Sequence, residues 1–288
     1  MKKRVAYLEI DGKQFGKDDA EKGLNVTFDV PYTGTGFVPN NATFTITNLN
    51  KHDMEYIVTN TARFEQRRRK IKFFAGYEGS VRQIFGGQIF QATPIDMPDT
   101  VVSISTISDI QDMGDQINVK YQNPTFMNLI DDARKLCGYK LDISDSVRKS
   151  NVLQRSAGAE WDFTGSAVQY LREVEIALGV HVKQASDALA FVVVNNTLYI
   201  GWQNEKYPST APVISAATGM IGIPSPTETG INIQVLMDVG LSPFQTIYLQ
   251  SEKLPLYNGE YNIINIRHHG SLRGRDWYSD LECVKVKA

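Results

Sequence analysis

The sequence predicts a mainly β protein with an α+β insertion, in which two antiparallel β units flank a small unit with two helices. Three observations carry this. Apolar and polar residues alternate through much of residues 1–117 and again from residue 230 onward, as strands with one buried face require. Between Asn123 and Gly179 the apolar period lengthens to that of a helix. The two β stretches also resemble each other weakly at a nearly constant offset, a likeness that either a duplication or the general similarity of antiparallel meanders would produce.

In order along the chain, Val5 to Ile10 reads as a strand. Leu24 to Val30 reads as another, with Leu24, Val26, Phe28 and Val30 on one face, and Thr43 to Thr47 repeats the pattern. Met54, Ile57, Val58 and Phe64 follow at roughly helical spacing, and then comes a basic run. Strands resume at Ile71 to Gly76, Ile84 to Thr93 and Thr100 to Ser108, punctuated at Gly79, Pro94 and Pro98. Asn123-Pro124 reads as the start of a helix that places Phe126, Leu129, Ile130, Ala133 and Leu136 or Cys137 on one face and closes at Gly138. A second helix is expected from Thr164, burying Val168, Leu171, Val174 and Leu178, with a stop at Gly179. Leu189 to Val194 and Thr197 to Trp202 flank Asn195-Asn196, a tight-hairpin loop. The stretch from Ser209 to Gly230 is rich in Pro, Thr, Ser and Gly and reads as a surface linker. Strands return at Ile231 to Met237, Thr246 to Gln250, Tyr261 to Arg267 and Tyr278 to Lys287. The expected units are therefore 1–117, 118–208, a linker at 209–229, and 230–288.

The internal repeat aligns Ile71–Ala75 with Ile247–Ser251, Gly87–Phe90 with Gly259–Asn262, and Val101–Thr106 with Tyr278–Cys283. Each unit then reads as strand, connection, a strand opening at Gly, turn, final strand.

Composition narrows the function. With 42% hydrophobic and 22% charged residues, the 288-residue chain can bury a real core. A net charge of -2 argues against a dedicated nucleic-acid binder. The opening Met1-Lys2-Lys3-Arg4 leads into a charged strand rather than an export signal, and no apolar run is long enough to span a membrane. The two cysteines, Cys137 and Cys283, lie far apart without CxxC spacing and are expected as free buried thiols of a reducing compartment.

The C-terminal run is the most specific. Asn258-Gly259-Glu260-Tyr261-Asn262-Ile263, His268-His269-Gly270 and Gly274-Arg275-Asp276-Trp277-Tyr278-Ser279-Asp280-Leu281-Glu282 resemble the closing hairpin of bacteriophage baseplate hub proteins, with its Gly-x-Tyr strand, His-x-Gly turn and Trp-Tyr-(Thr or Ser)-x-Leu-Glu strand. Leu24 to Val30, Asn41 to Leu49, Ala75 to Gly79, Ile84 to Gly87 and Thr218 to Gly222 fit the same family in the same order. Ser271 departs from it, since relatives place Asp there. The ring portion of type VI secretion spike proteins is similar too. The resemblance implies that 1–117 and 230–288 are tube-like β-barrels. It further implies a homotrimer forming a pseudo-six-fold ring between a hexameric tail tube and a trimeric spike. The implied partners are tail tube or tube-initiator proteins, the spike, other baseplate proteins and the tape-measure protein. DNA is met only in transit, there is no membrane insertion, and the chain resides in the virion after assembly in the host cytoplasm. A tail-associated cell-wall hydrolase and a type VI secretion ring component are the competing readings.

The residues give no catalytic, cofactor or metal assignment. His268 and His269 could be paired with Asp276 or Asp280 around a metal, but neighbours on a strand point to opposite faces. Gly76-Tyr77-Glu78-Gly79 and Gly86-Gly87 lack the Lys-Ser/Thr ending of a phosphate loop. The acidic residues form no sugar-cleaving pair. The basic run Arg63, Arg67, Arg68, Arg69, Lys70 and Lys72 is the strongest local charge signal, and a protein contact or a solvated face is the favoured reading over DNA.

Overall fold

The computed structural model describes residues 3–16, 24–33, 40–58, 68–97, 99–108, 116–179, 188–194, 197–207, 211–228 and 230–287. In the first β region, β1 (Arg4–Ile10) reverses at Asp11 and Gly12 into β2 (Lys13–Phe15). Both turn residues have positive φ, 46° and 84°, as an Asp-Gly hairpin demands. β3 (Asn25–Thr33), β4 (Thr43–Thr47), α1 (Lys51–Val58), β5 (Lys70–Tyr77), β6 (Ser80–Met97) and β7 (Asp99–Ser108) follow. Leu24, Val26, Phe28 and Val30 are all buried, as their alternation requires. The rings of Phe28 and Phe44 each pack 4.8 Å from Phe73, and Phe85 closes on Phe44 at 5.7 Å.

The middle region contains β8 (Ile117–Gln122), α2 (Phe126–Leu136), β9 (Lys140–Ile143), α3 (Asp145–Ser150), β10 (Glu160–Gly165), α4 (Ala167–Ala177), β11 (Leu189–Val194) and β12 (Thr197–Trp202). α2 starts two residues later than Asn123-Pro124 suggests. Its N-cap is Thr125, whose hydroxyl accepts from the Asn128 N–H while Asn128 Oδ1 accepts from the Thr125 N–H. Likewise Thr164 belongs to β10, and Ser166 caps α4 in a box with Gln169. The capping residue, rather than the first apolar one, fixes each start. Phe126, Leu129, Ile130, Val168, Leu171 and Val174 are buried in one core with Phe191 and Ile200.

The last region holds β13 (Val213–Ile214), β14 (Met220–Pro226), β15 (Gly230–Leu236), β16 (Thr246–Leu249), β17 (Gly259–Ser271) and β18 (Trp277–Lys285). Residues 209–229 are thus not simply a linker. β13 pairs with β16, and β14 pairs with β15 through a bulge between Ile221 and Ser225. Short apolar positions, Ile214 and Met220, anchor them in the third core beside Ile231, Ile233 and Leu281. A second correction concerns His268-His269-Gly270, which lie inside β17 rather than in a turn. Gly270 is required there because an added Cβ would come 2.7 Å from the Asp276 carbonyl across the hairpin. The turn itself is held by Ser271, whose hydroxyl accepts from the Gly274 N–H at 3.2 Å, so Ser supplies the bond that an Asp could make.

One thirteen-stranded sheet contains strands of both β regions. Its path divides into two runs with the same spatial and chain order, β3-β4-β7-β6-β5-β1 and β14-β15-β18-β17-β16-β13. Register agrees as well. Lys70 faces Gln88 as Thr246 faces Asn262, and Gln91 faces Ser105 as Asn265 faces Glu282. Ile71–Phe73 and Val101–Thr106 therefore hold the same places as Ile247–Leu249 and Tyr278–Cys283, while Gln250 and Ser251 lie beyond the end of β16. The middle alignment is displaced, since Gln88 answers to Asn262 rather than Glu260, a shift that preserves the faces. The runs differ at one end, where β1 pairs antiparallel to β5 over seven residues and β13 pairs parallel to β16 over two.

Side chains from β1 to β7 converge on one core, so the first run curls. Among the described residues, however, neither run closes into a barrel. Closure needs first and last strands to share a ladder, and the terminal strands β2 and β13 span only three and two residues.

Candidate assembly surface

β17 is long enough to serve both runs. Its first part, up to Asn262, pairs with β16, and after a bulge between Ile263 and Asn265 its second part, Asn265–Ser271, pairs with β3 of the first run. β18 lies along its other edge throughout. Trp277, at the start of β18, is fully buried in the first run's core, edge-on to Phe28 at 5.2 Å and beneath the Arg4 guanidinium at 5.4 Å. Met237 enters the same core. The two β regions are therefore joined by a ladder and by interpenetrating side chains.

The joint carries a cluster of polar side chains. On one face, Arg267 Nε and Nη2 donate to Asp29 Oδ1 and Oδ2 at 2.9 and 2.5 Å. This pairing holds the Asp29 carboxyl below its ordinary range and raises Arg267. Gln234 Nε2 donates to Asp280 at 2.8 Å, and Asn265 Nδ2 donates to Glu282 at 2.7 Å. With β14 and the end of β3, these side chains line an open groove of about 680 Å³. Its charge is acidic, because Arg267 is matched by Asp29 while Asp280 and Glu282 remain.

On the opposite face, His268 is buried with its Nδ1 within hydrogen-bond distance of Ser279 Oγ at 2.8 Å, and the same Oγ accepts from the Asp238 N–H. Burial pushes the His268 imidazole down to about 4. The Ser–His contact resembles a hydrolase pair, but Ser279 is fully buried and unreachable by a substrate. His269 points the other way, with Nε2 3.0 Å from Asp280 Oδ2 but outside hydrogen-bonding geometry. The two histidines thus face opposite sides, and Asp276 lies in the hairpin connection. Among the described residues no three His, Cys, Asp or Glu side chains converge as metal ligands. Cys137 and Cys283 are free thiols, both raised by burial. The His268–Ser279 contact carries no signal in the sequence, because it depends on the β17–β18 register.

The described part of the basic run is largely matched. Arg69 stacks 3.8 Å from Tyr56 and lies 3.7 Å from Asp11, Arg68 lies over Phe90 at 5.6 Å, and Lys72 is 3.2 Å from Glu9. Arg63 and Arg67 fall outside the described residues. The middle region docks on the second run instead. Asn262 Nδ2 donates to the Gln203 and Glu205 carbonyls, and Tyr207 packs on Phe244 at 5.4 Å.

The fold is shared with phage tail proteins and with a type VI secretion component. It is similar to the tail protein from Neisseria meningitidis MC58 (TM-score 0.58, 11% identity, 98% of this chain and 97% of that one). It is similar also to the 43 kDa tail protein of prophage MuSo2 from Shewanella oneidensis (TM-score 0.54, 11% identity, 98% and 97%). A third likeness is to the E. coli c3393 protein (TM-score 0.57, 11% identity, 97% and 77%), described as a type VI secretion component with structural similarity to T4 tail proteins gp27 and gp5. No curated protein matches the sequence. The family model for baseplate hub gp41 matches residues 6–283, and the chain belongs to that family. It is a structural protein of the bacteriophage tail baseplate.

Proposed function

We propose that the chain is the hub of a contractile-tail baseplate, a homotrimer in which the two β runs of each copy supply six near-equivalent positions in a ring. The ring meets a hexameric tail tube, or its initiator, on one side and a trimeric spike on the other, with other baseplate proteins and the tape-measure protein around it. The observation that carries this reading is the duplicated strand order, β3-β4-β7-β6-β5-β1 against β14-β15-β18-β17-β16-β13. Three copies of a duplicated chain reconcile six-fold with three-fold symmetry, whereas unrelated domains would leave alternate positions mismatched. In the ring, neighbouring copies complete the barrel-like curvature that each run begins.

The role is assembly rather than turnover. Cryo-electron microscopy of baseplates is expected to resolve three copies per ring. Six copies or one would remove the hub reading. Release of muropeptides from peptidoglycan by the purified chain would favour the hydrolase reading instead. A type VI ring has the fold-level likeness to the c3393 protein behind it, but the family match favours a phage tail.

A further inference from the structure

The geometry points to a specific joint between copies: the free edge of β6 beyond Ile89 pairs with the free edge of β14 of the next copy, repeating the β17–β3 ladder found within one chain. This rests on the ring reading above and deepens it by naming the two edges that meet.

The duplication assigns a counterpart to every strand, including the two that form the joint. β17 answers to β6, and β3 answers to β14. Within one chain, β17 changes partner halfway. It pairs with β16 up to Asn262, the Ile263 N–H bonds to the Gln245 carbonyl, a bulge follows, and from Asn265 it pairs with β3. β6 does the same as far as its own chain allows. It pairs with β5 up to Gln88, the Ile89 N–H bonds to the Arg69 carbonyl, and a bulge lies between Ile89 and Gln91. From Gln91 to Met97 it has β7 on one side only, among the described residues. The edge that β3 fills in the second run has no partner strand among the described residues of the first.

β14 is the strand whose position answers to β3, and it is the last strand of the sheet, with β15 on one side and no described partner on the other. In the register that sets Ile95 against Ser225, Pro94–Met97 of the β6 edge lies against Ile223–Pro226 of β14. Both edges expose apolar side chains that an isolated chain would do better to cover: Ile95 is 46% exposed on β6, and Ile221 and Ile223 are 38% and 53% exposed on β14. Burying them against each other favours a second copy of this chain as the occupant. An exposed strand edge otherwise invites unselective pairing.

Register follows from the same equivalences. Ile95 faces Val101 as His269 faces Tyr278, and Ser225 faces Asn232 as Asp29 faces Thr43. Since His269 and Asp29 are direct partners in the internal ladder, Ile95 and Ser225 are partners in the one between copies. Pro94, Pro224 and Pro226 remove N–H donors from these edges, so this ladder has fewer hydrogen bonds than the internal one and closes when the ring holds the copies together.

The test is cross-linking in assembled baseplates. In a Cys137→Ser background, Ile95→Cys with Ser225→Cys is expected to give a covalent trimer under oxidation, and each single cysteine only monomer. A short bismaleimide on the same pair covers a register error of a residue or two. A ring of three copies in which neither reagent links the pair overturns the β6–β14 joint while leaving the hub reading intact. Absence of any three-copy ring overturns both. As a second readout, Ile95→Asp and Ile223→Asp are each expected to cut trimer incorporation at least tenfold while leaving the melting temperature of the isolated chain unchanged. Normal incorporation of both variants would also refute the joint.

Discussion

Asp29 and Arg267 stand 238 residues apart in sequence and grip each other through two parallel hydrogen bonds across the strands that join the two β runs. Both side chains keep part of their surface in water, 37% and 56%, so the contribution is modest despite good geometry. A double-mutant cycle with Asp29→Asn and Arg267→Ala, followed by urea unfolding, is expected to give a coupling of about 0.5–1 kcal/mol that weakens with added salt. A coupling several times larger, insensitive to salt, would mean that the pair is shielded in solution.

Trp277 matters more to the same joint. It is fully buried among Phe28 and Tyr77, and its indole N–H has no hydrogen-bond partner among the described residues. Trp277→Ala is expected to cost about 3–5 kcal/mol through lost burial and the cavity left behind. Trp277→Phe should cost markedly less, because no hydrogen bond is lost. Equal losses from the two variants in thermal or urea unfolding would contradict this account.

His268 makes the joint acid-sensitive. The unfolded imidazole takes up a proton below about pH 6.5, whereas the buried folded one stays neutral down to about 4. The stability it confers is complete above pH 6.5 and is lost as pH falls toward 4, by at most about 3 kcal/mol. Denaturation measured across that window should lose this slope in His268→Gln. An unchanged slope would assign the effect to other groups.

Gly230 and Gly138 should respond differently to alanine. At Gly230 an added Cβ would lie 1.9 Å from the Cys283 carbonyl, so β15 and β18 must part. Gly138 has open space and a φ of +74°, so only backbone strain opposes the change. We expect Gly138→Ala to cost about 1 kcal/mol and Gly230→Ala at least twice that. Calorimetric melting of both variants decides the order.

Much of the fold was legible in the sequence because its strands bury one face. Val26, Phe28 and Val30, or Ile231 and Ile233, betray themselves by alternation. Two of three repeat segments aligned in register for the same reason. What escaped is what depends on partners. β14 reads as linker because Gly222, Pro224 and Pro226 carry no alternation, and it is a strand only because β15 lies beside it. The His268–Ser279 contact requires the β17–β18 register, and α3 is too short for its period to show. The candidate surface was invisible as such, since Asp29 and Arg267 have no sequence signature until β17 is known to pair with β3.

The double service of β17 has a consequence for how the protein is made. β3 emerges from the ribosome early, yet the strand that covers its edge and the Trp277 indole that completes its core follow 238 or more residues later. At about 5–20 residues per second, the nascent first run waits roughly 10–50 seconds with an unfilled hollow and a bare strand edge. During synthesis, then, the vulnerable interval belongs to the part translated first. Slowing elongation between Thr33 and Gly259 should raise its capture by chaperones and its aggregation, without altering the finished protein.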